Sequence, residues 1–353
     1  MTLLGIICTT ELANNNRSEW AMKKADVAPE TAMKELLRIF RKRGSKALEM
    51  ARKEILTEKI ESKEAREALK YFITKLWQDR SRPSLMSIVC EAAGGDPEQT
   101  TSIAISLSLT SGAMDIHDDI IDQSRSKYGH ATVYGKYGKD IALLVGDALL
   151  FKGLTLLNRA MEINISLEKK RTILDIVKNT FFELGDAEAM ELEFRGKLEV
   201  SPEKYLRVLR KKAADVEAHT RISAILACAK PQQIRALGEY GRILGMLILL
   251  RDDWIDIYDV DECLRRIRKE ALPLPLLYGL HDAKIRDGLK SILLRNRITK
   301  KEAELISKSI QGSGVPKKYA SLMRGLADKA LTELEKASVK NRNLEIAVRA
   351  ALI

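Results

Sequence analysis

Apolar residues recur every three and four positions from residue 30 onward, the spacing that places them on one face of an α-helix. Leu36, Leu37 and Phe40 begin the pattern, and residues 47–51 continue it. No segment alternates apolar and polar residues in the way a half-buried strand does. The pattern predicts an all-α protein, with residues 1–30 as an N-terminal extension and residues 31–353 as one helical domain.

Glycine and proline interrupt the pattern at intervals of mostly about 15–30 residues, the length of helices in large bundles. These predicted breaks fall at Ser81-Arg82-Pro83, 94–97, 128–130, Ser201-Pro202, Lys230-Pro231, 272–275 and 312–316. A chain of 353 residues that is 45% hydrophobic can bury a large core. We therefore expect a single large helical bundle.

The formal charge of +11 favours anionic partners. Lysine and arginine alternate with glutamate along the helices, however, so most of them are expected to solvate helix surfaces, and nucleic-acid binding is not expected. The four cysteines form no C-x-x-C pair, which indicates a reducing compartment. Residues 1–7 do not resemble a secretory signal, and no apolar stretch is long enough to span a bilayer. The chain is expected to be cytoplasmic.

Two matched groups of three aspartates stand out from this helical background. Both have the spacing D-D-x-x-D within apolar sequence: Asp118, Asp119 and Asp122, and Asp252, Asp253 and Asp256. Positions i and i+4 of a helix lie on one face, so each group directs carboxylates to one point. Buried like charges are costly without cations, and Mg²⁺ prefers carboxylate and phosphate oxygens. A solvated acidic face explains one such group, but the matched pair predicts a magnesium site for a polyphosphate.

The sequence around these aspartates resembles that of the all-trans isoprenyl diphosphate synthases. Residues 117–122 (HDDIID), 127–132 (KYGHAT) and 146–150 (GDALL) are similar to the first aspartate-rich region of that family. Residues 244–256 and 269–273 (KEALP) are similar to the second region, and residues 80–83 (RSRP) match the N-terminal motif more weakly. The resemblance covers about residues 35–330, in order along the chain.

This resemblance implies a fold, an activity and a set of ligands. The family has the type I isoprenoid synthase fold, a helical bundle around a deep central cavity, with magnesium, here three ions, held by the six aspartates. The ions and basic side chains draw diphosphate from an allylic prenyl substrate, and isopentenyl diphosphate attacks the resulting cation. The matching basic residues here are Lys127, Lys212 and Lys269, and Lys212 is counted with the aspartates as catalytic.

The positions that match the family's isopentenyl diphosphate pocket depart from its pattern. Where the family has Lys, Arg, His, Arg and Gln, this chain has Asp79, Arg82, Ser111, Tyr128 and Leu249. Only Arg82 is retained as a substrate-binding residue. Asp79 reverses a charge that would face an anion, and a unit pair about 4 Å apart is worth roughly 4 kcal/mol at an effective dielectric of 20. We therefore expect the allylic half of the site to be kept and the other half to be dismantled.

These departures lead to the hypothesis that the enzyme ionises an allylic diphosphate but passes the cation to something other than isopentenyl diphosphate. It would then be a terpene synthase or a non-standard prenyltransferase. The alternatives are an ordinary head-to-tail synthase of the geranylgeranyl or polyprenyl type, and an inactive regulatory partner subunit. Intact aspartates in both groups argue against the inactive subunit.

Two further expectations rest on the resemblance alone. Ala113 and Met114 occupy positions that help to set the length of the prenyl chain, and a small residue at 113 favours a substrate of about fifteen to twenty carbons. Members of the family pair into homodimers through helices that flank the cavity, so a homodimer is expected. Greasy products would also allow transient contact with a membrane surface.

Overall fold

The structure, a computed structural model, describes residues 29–127, 129–162 and 165–352. The predicted N-terminal extension, residues 1–30, lies outside the described residues except for its last two, which begin the first helix. The α-helices are α1 (Pro29–Leu56), α2 (Lys63–Tyr71), α3 (Ser81–Ala92), α4 (Thr101–Ile121), α5 (Val133–Ala160), α6 (Leu167–Phe194), α7 (Pro202–Lys212), α8 (Ala214–Leu226), α9 (Pro231–Asp256), α10 (Val260–Lys269), α11 (Leu274–Leu280), α12 (Arg286–Leu293), α13 (Lys300–Gln311), α14 (Val315–Lys336) and α15 (Arg342–Ala350). A π-helical segment (Phe72–Leu76) follows α2, and a 3₁₀ turn (Pro97–Thr100) precedes α4.

The all-α prediction is confirmed, with one small exception among the described residues. Ser126–Lys127 and His130–Ala131 form a two-stranded antiparallel hairpin at the predicted break after α4. The breaks at Ser201-Pro202 and Lys230-Pro231 are also confirmed, since α7 begins at Pro202 and α9 at Pro231. Proline suits the first turn of a helix because the amide hydrogen it lacks has no partner there.

The predicted break at Ser81-Arg82-Pro83 is wrong in position. These residues form the first turn of α3, and the interruption lies at residues 77–80. The reason is the same tolerance of proline in a first turn. It is assisted by Asp79, whose carboxylate accepts hydrogen bonds from the backbone amides of Ser81 at 2.9 Å and Arg82 at 3.3 Å.

The core is built from long helices that pack closely around the candidate site. α4 packs along α5, and α9 packs against both α8 and α14. Tyr319 of α14 fixes the second of these contacts, because its buried hydroxyl donates to the carbonyl oxygen of Leu250 at 2.7 Å. The ends of α4 and α9 that carry the aspartates are thereby held in place by their neighbours. Every helix among the described residues is too short or too polar to cross a membrane.

Two glycines on different helices provide a direct test of the close packing between α4 and α5. A Cβ at Gly153 of α5 would lie 2.5 Å from Thr110 Cγ2 and 2.9 Å from the Ser106 carbonyl oxygen, both on α4. Gly325 of α14 is exposed, and a Cβ there would meet nothing within 4 Å. We expect Gly153→Ala to lower the free energy of unfolding by about 1–3 kcal/mol through overpacking. Gly325→Ala should raise it by about 0.5–1 kcal/mol through better helix propensity. Urea unfolding measures both, and equal effects would contradict this packing.

Candidate active site

The first aspartate group lies at the C-terminal end of α4. Asp118 and Asp119 belong to its last turn and Asp122 is its C-cap residue. Lys127, on the hairpin, places its Nζ 2.6 Å from Asp119 Oδ1 and 3.6 Å from Asp118 Oδ2. Arg195, just beyond α6, lies 3.2 Å from Asp122 Oδ1. Cationic side chains of the protein therefore contact all three predicted metal ligands.

Because these aspartates are buried and repel one another, positive charge beside them stabilises their ionised forms. Burial raises the pKa of Asp119 to about 6 even though Lys127 opposes the shift. Burial, together with the charges of Asp118 and Glu270, raises the pKa of Asp122 to about 8. Burial also acts on Asp118, but Lys127 and Lys212 hold the pKa of that carboxyl well below its usual range.

The second group lies at the C-terminal end of α9, where Asp253 is the most firmly held. Asp253 Oδ1 accepts hydrogen bonds from Arg266 Nη2 at 2.5 Å and the Tyr205 hydroxyl at 3.1 Å, and Oδ2 accepts one from the backbone amide of Leu274 at 3.1 Å. Arg266 also lies 3.4 Å from Asp256 Oδ2. These partners come from α7, α10 and the start of α11, so the group is locked by three elements.

Asp252 has a different environment from its neighbour. Arg251 Nη1 lies 3.9 Å from Asp252 Oδ1. Burial raises the pKa of Asp252 to about 7, with Asp253 adding to the shift and Arg251 opposing it. A cation placed beside Asp252 would relieve this unfavourable charge.

Lys212 interacts with Asp118 of the first group and is linked to Asp253 of the second group through Glu191. Its Nζ lies 2.9 Å from Glu188 Oε1 and forms an ion pair with Glu191, both on α6. Glu191, Glu188 and Asp118 raise the pKa of Lys212 well above its usual value although burial opposes them. Glu191 also acts on the buried carboxyl of Asp253. Lys212 is therefore within electrostatic reach of the first group, and its partner Glu191 within reach of the second.

The turn after α4 contacts α10 directly. Arg265 Nη1 lies 3.0 Å from Ser124 Oγ, and Lys269 Nζ lies 2.8 Å from Gln123 Oε1. Lys269 is thus placed at the junction between the two groups. The turn that follows the first aspartate group thus contacts the helix that follows the second.

A cavity of about 130 Å³ opens beside Asp118 and Lys212. Met114 and Leu249 line it, whereas Ala113 is fully buried among the helices and does not. Pockets for small molecules are typically about 300 Å³ or larger. A long prenyl chain would therefore need side chains of the wall to move, and of the two predicted length-setting residues only Met114 contacts this space.

Arg82, the arginine retained from the N-terminal motif, pairs with two carboxylates. Arg82 Nη1 lies 2.8 Å from Asp79 Oδ2, and Arg82 Nε lies 2.8 Å from Asp215 Oδ2. Ser111 Oγ donates to Asp215 Oδ1 at 3.2 Å. Burial opposes ionisation of Asp79, but Arg82 and Ser81 hold the pKa of that carboxyl below its usual value. Tyr128, the remaining altered position, lies outside the described residues.

Several residues of this site were not singled out by the sequence patterns. They are the partners of the predicted residues: Glu188, Glu191, Tyr205, Asp215, His219 and Arg266. Glu188 and Glu191 are three residues apart, and Asp215 and His219 are four apart, in helical sequence near Lys212. Those spacings were the only signal, because the partners lie on other helices.

Carboxylate oxygens are suitable ligands for magnesium, but the carboxylates of this site do not by themselves complete the coordination of one ion. Among the described residues, no group of three or more His, Cys, Asp or Glu side chains is close enough to hold one metal ion. Magnesium is usually held by one or two carboxylates, with substrate phosphates completing its coordination. The raised pKa values of Asp119, Asp122 and Asp252 indicate carboxylates that a divalent ion would stabilise. The donor set therefore fits the ion, with the substrate supplying the remaining oxygens.

Comparison with known proteins gives relatives of one kind. The chain is 32% identical over 220 residues to the short chain isoprenyl diphosphate synthase of Methanothermobacter thermautotrophicus, which covers 60% of this chain and 66% of that protein. It is 28% identical over 216 residues to the geranylgeranyl diphosphate synthase of Sulfolobus acidocaldarius, covering 61% of each. The matches thus span less than two thirds of these relatives. Both names describe chain-elongating synthases, which favours the ordinary head-to-tail alternative over transfer without isopentenyl diphosphate.

Comparison with solved structures gives a similar result. The geranylgeranyl pyrophosphate synthetase of Pyrococcus horikoshii superposes with a TM-score of 0.78 at 24% identity, over 90% of this chain and 98% of that one. At that identity the likeness establishes the helical fold. The family model described as polyprenyl synthetase matches residues 62–309, more than half of the chain and the part that carries both aspartate groups. This protein therefore belongs to the polyprenyl synthetase family.

Proposed function

We propose that this chain binds an allylic prenyl diphosphate, of about C15 to C20, and breaks its carbon–oxygen bond. The observation that carries the proposal is the meeting of Asp118 and Lys212 at a cavity that Met114 also lines, with Glu191 linking Lys212 electrostatically to Asp253. The names of the relatives support the same substrate class. Breaking the bond leaves its electron pair on the diphosphate and a cation on the prenyl carbon.

The protein's own residues would divide the work of binding the diphosphate. Asp118, Asp119 and Asp122 on one side, and Asp252 with Asp253 and Asp256 on the other, would hold magnesium, three ions by family resemblance. When bound, magnesium supplies charge neutralisation for the leaving diphosphate. Lys127 and Lys212 would turn from their carboxylate partners, and Lys269 from the amide oxygen of Gln123, toward phosphate oxygens. Arg266 would keep Asp253 oriented.

Two candidate acceptors follow for the prenyl cation. The relatives favour isopentenyl diphosphate and head-to-tail elongation. One observation favours a different acceptor: Arg82, the retained arginine of the altered pocket, already has Asp79 and Asp215 as close partners. An arginine paired with two buried carboxylates offers little net positive charge to a second diphosphate.

Removing one carboxylate from each group tests the proposed ionisation. We expect Asp118→Asn and Asp252→Asn each to lower magnesium-dependent release of diphosphate from farnesyl or geranylgeranyl diphosphate by about 100-fold or more, since each removes a charge from the metal site. Asp175→Asn, on the exposed face of α6, is the matched control and should change the rate less than twofold. Near-normal turnover by either site variant would reject the assignment.

The acceptor is tested by adding isopentenyl diphosphate to the same assay. If the pairing of Arg82 governs the outcome, diphosphate release should be independent of isopentenyl diphosphate, and mass spectrometry should find no elongated prenyl diphosphate. Strict dependence on isopentenyl diphosphate, with longer products, would establish the head-to-tail reaction instead.

We also propose that the chain forms a homodimer through α5 and α6. Large apolar side chains are exposed on both helices: Leu144 and Phe151 on α5, and Leu174 and Phe182 on α6. Residues 144 and 151 are seven apart and so lie on one helix face. Soluble monomers rarely leave large contiguous apolar patches uncovered, which supports burial of these side chains against a second copy.

Charged substitutions on this face should separate the two copies. We expect Phe151→Asp combined with Phe182→Asp to convert a dimer to a monomer in sedimentation velocity, because each buries a carboxylate in an apolar interface. Leu294→Asp is the matched control, since Leu294 is 72% exposed but caps the C-terminus of α12, which is not one of the two helices of this face. A dimer that survives the double change, or dissociates equally with Leu294→Asp, would place the interface elsewhere.

A further inference from the structure

A polar cluster lines the same cavity as Asp118 and is not needed for binding a hydrocarbon chain. It consists of Arg82 from α3, Ser111 from α4, and Asp215 and His219 from α8. Asp215 and His219 are four residues apart, so they share one face of α8. Polar groups in an apolar tube are costly unless they are paired or used.

The hydrogen bonds of this cluster fix the tautomer of His219. Its Nδ1 lies 2.7 Å from the backbone carbonyl oxygen of Asp215 and 3.5 Å from Asp215 Oδ1. A carbonyl oxygen only accepts, so Nδ1 must carry the proton that this bond requires. In the neutral ring Nε2 then holds a free lone pair.

That lone pair is buried and has no hydrogen-bond partner among the residues that the structure describes. His219 is only 2% exposed, so bulk water does not serve it. His281 makes the same bond from Nδ1 to the carbonyl four residues earlier, but it is exposed and lies outside the cavity. A buried, unpaired acceptor beside a reaction cavity suggests a group that accepts a proton during the reaction.

Asp215 is arranged to support such a role. Its carboxylate is held by Arg82 and Ser111 and stays ionised, since the charge of Arg82 and the hydrogen bonds from Arg82 and Ser111 oppose the effect of burial and keep the pKa of Asp215 low. An ionised carboxylate beside an imidazole orients the ring and stabilises the imidazolium that forms when it takes a proton. Asp215 would therefore be a positioning residue for His219.

The residues that line the cavity indicate that the proton is removed from an O–H group. Phe181 is the single Phe, Tyr or Trp among the lining residues, so few π faces stabilise a long-lived cation. Hydroxyl-bearing side chains, by contrast, are present at Thr110, Ser111 and Thr180. About 130 Å³ accommodates roughly four waters or one small alcohol, at about 30 Å³ per water. A small O–H acceptor suits this environment better than a second hydrocarbon.

We infer that His219 is the general base for transfer of the prenyl group to a hydroxyl acceptor, water or a small alcohol, held in this cavity. This inference rests on the proposed ionisation of an allylic diphosphate. The carbon–oxygen bond to diphosphate breaks with its electron pair on the diphosphate. The acceptor oxygen forms the new bond to carbon, its O–H bond breaks, and the proton passes to His219 Nε2. The products are a prenyl alcohol or ether and diphosphate.

The experiment follows diphosphate and organic product together. The purified full chain is incubated with magnesium and farnesyl diphosphate in ¹⁸O-labelled water, and separately with added glycerol. We expect farnesol that carries ¹⁸O, or glyceryl ether, in step with diphosphate release and above the enzyme-free rate. His219→Gln should lower oxygenated product by about 100-fold or more, while His281→Gln should leave it unchanged.

A structural role for His219 is separated from a chemical one by rescue. Added imidazole should restore oxygenated product to His219→Ala at least tenfold, and should not affect the wild-type chain; a purely structural role would give no rescue. Failure of the wild-type chain to release diphosphate would overturn the proposed ionisation, and this inference with it. Diphosphate release accompanied only by hydrocarbon or elongated products, or unchanged product from His219→Gln, would overturn this inference alone.

Discussion

Placing several carboxylates at the ends of two helices costs free energy, and the rest of the site is built to offset that cost. Asp122 caps the C-terminus of α4 and Asp256 is the last residue of α9. A helix C-terminus carries partial negative charge, so carboxylates there are disfavoured by the dipole as well as by one another. The protein offsets this cost with cations: Lys127, Lys212 and Arg266 each contact two or more carboxylates. These cations hold the site together before any ligand enters.

The two aspartate groups are not equivalent within this network. Asp253 is locked by Arg266, Tyr205 and a backbone amide, which suits a residue that maintains shape. Asp119 and Asp122 contact Lys127 and Arg195, which lie toward the surface and can exchange partners at lower cost. Magnesium would bring positive charge to the carboxylates, and the diphosphate would bring negative charge to the lysines that the carboxylates release. The site is therefore arranged to accept the ions and the phosphate together.

The sequence predicted the helical fold because apolar spacing is a local signal, whereas the joining of the two aspartate groups into one site stays a prediction. Residues i and i+4 share a helix face wherever the helix lies, and the matched D-D-x-x-D groups therefore indicated one site. The partners of Lys212 and Arg82 could not be predicted in this way. Glu188, Glu191 and Asp215 come from other helices, and their contacts depend on how α6 and α8 pack. The pattern places Ser81 in a break, but Ser81 begins α3, because a proline such as Pro83 is tolerated in the first turn of a helix. The roles assigned to the aspartates and lysines remain predictions.

The central claim is that the aspartates bind magnesium only together with phosphate oxygens, and calorimetric titration of inorganic pyrophosphate tests it most directly. Pyrophosphate should bind well in the presence of magnesium and at least about 100-fold more weakly in EDTA. Magnesium alone should give little heat because, in the part of the chain that the structure describes, no three carboxylates are close enough to hold one ion. Pyrophosphate affinity that is independent of magnesium would contradict the account, because the lysines alone would then form the site.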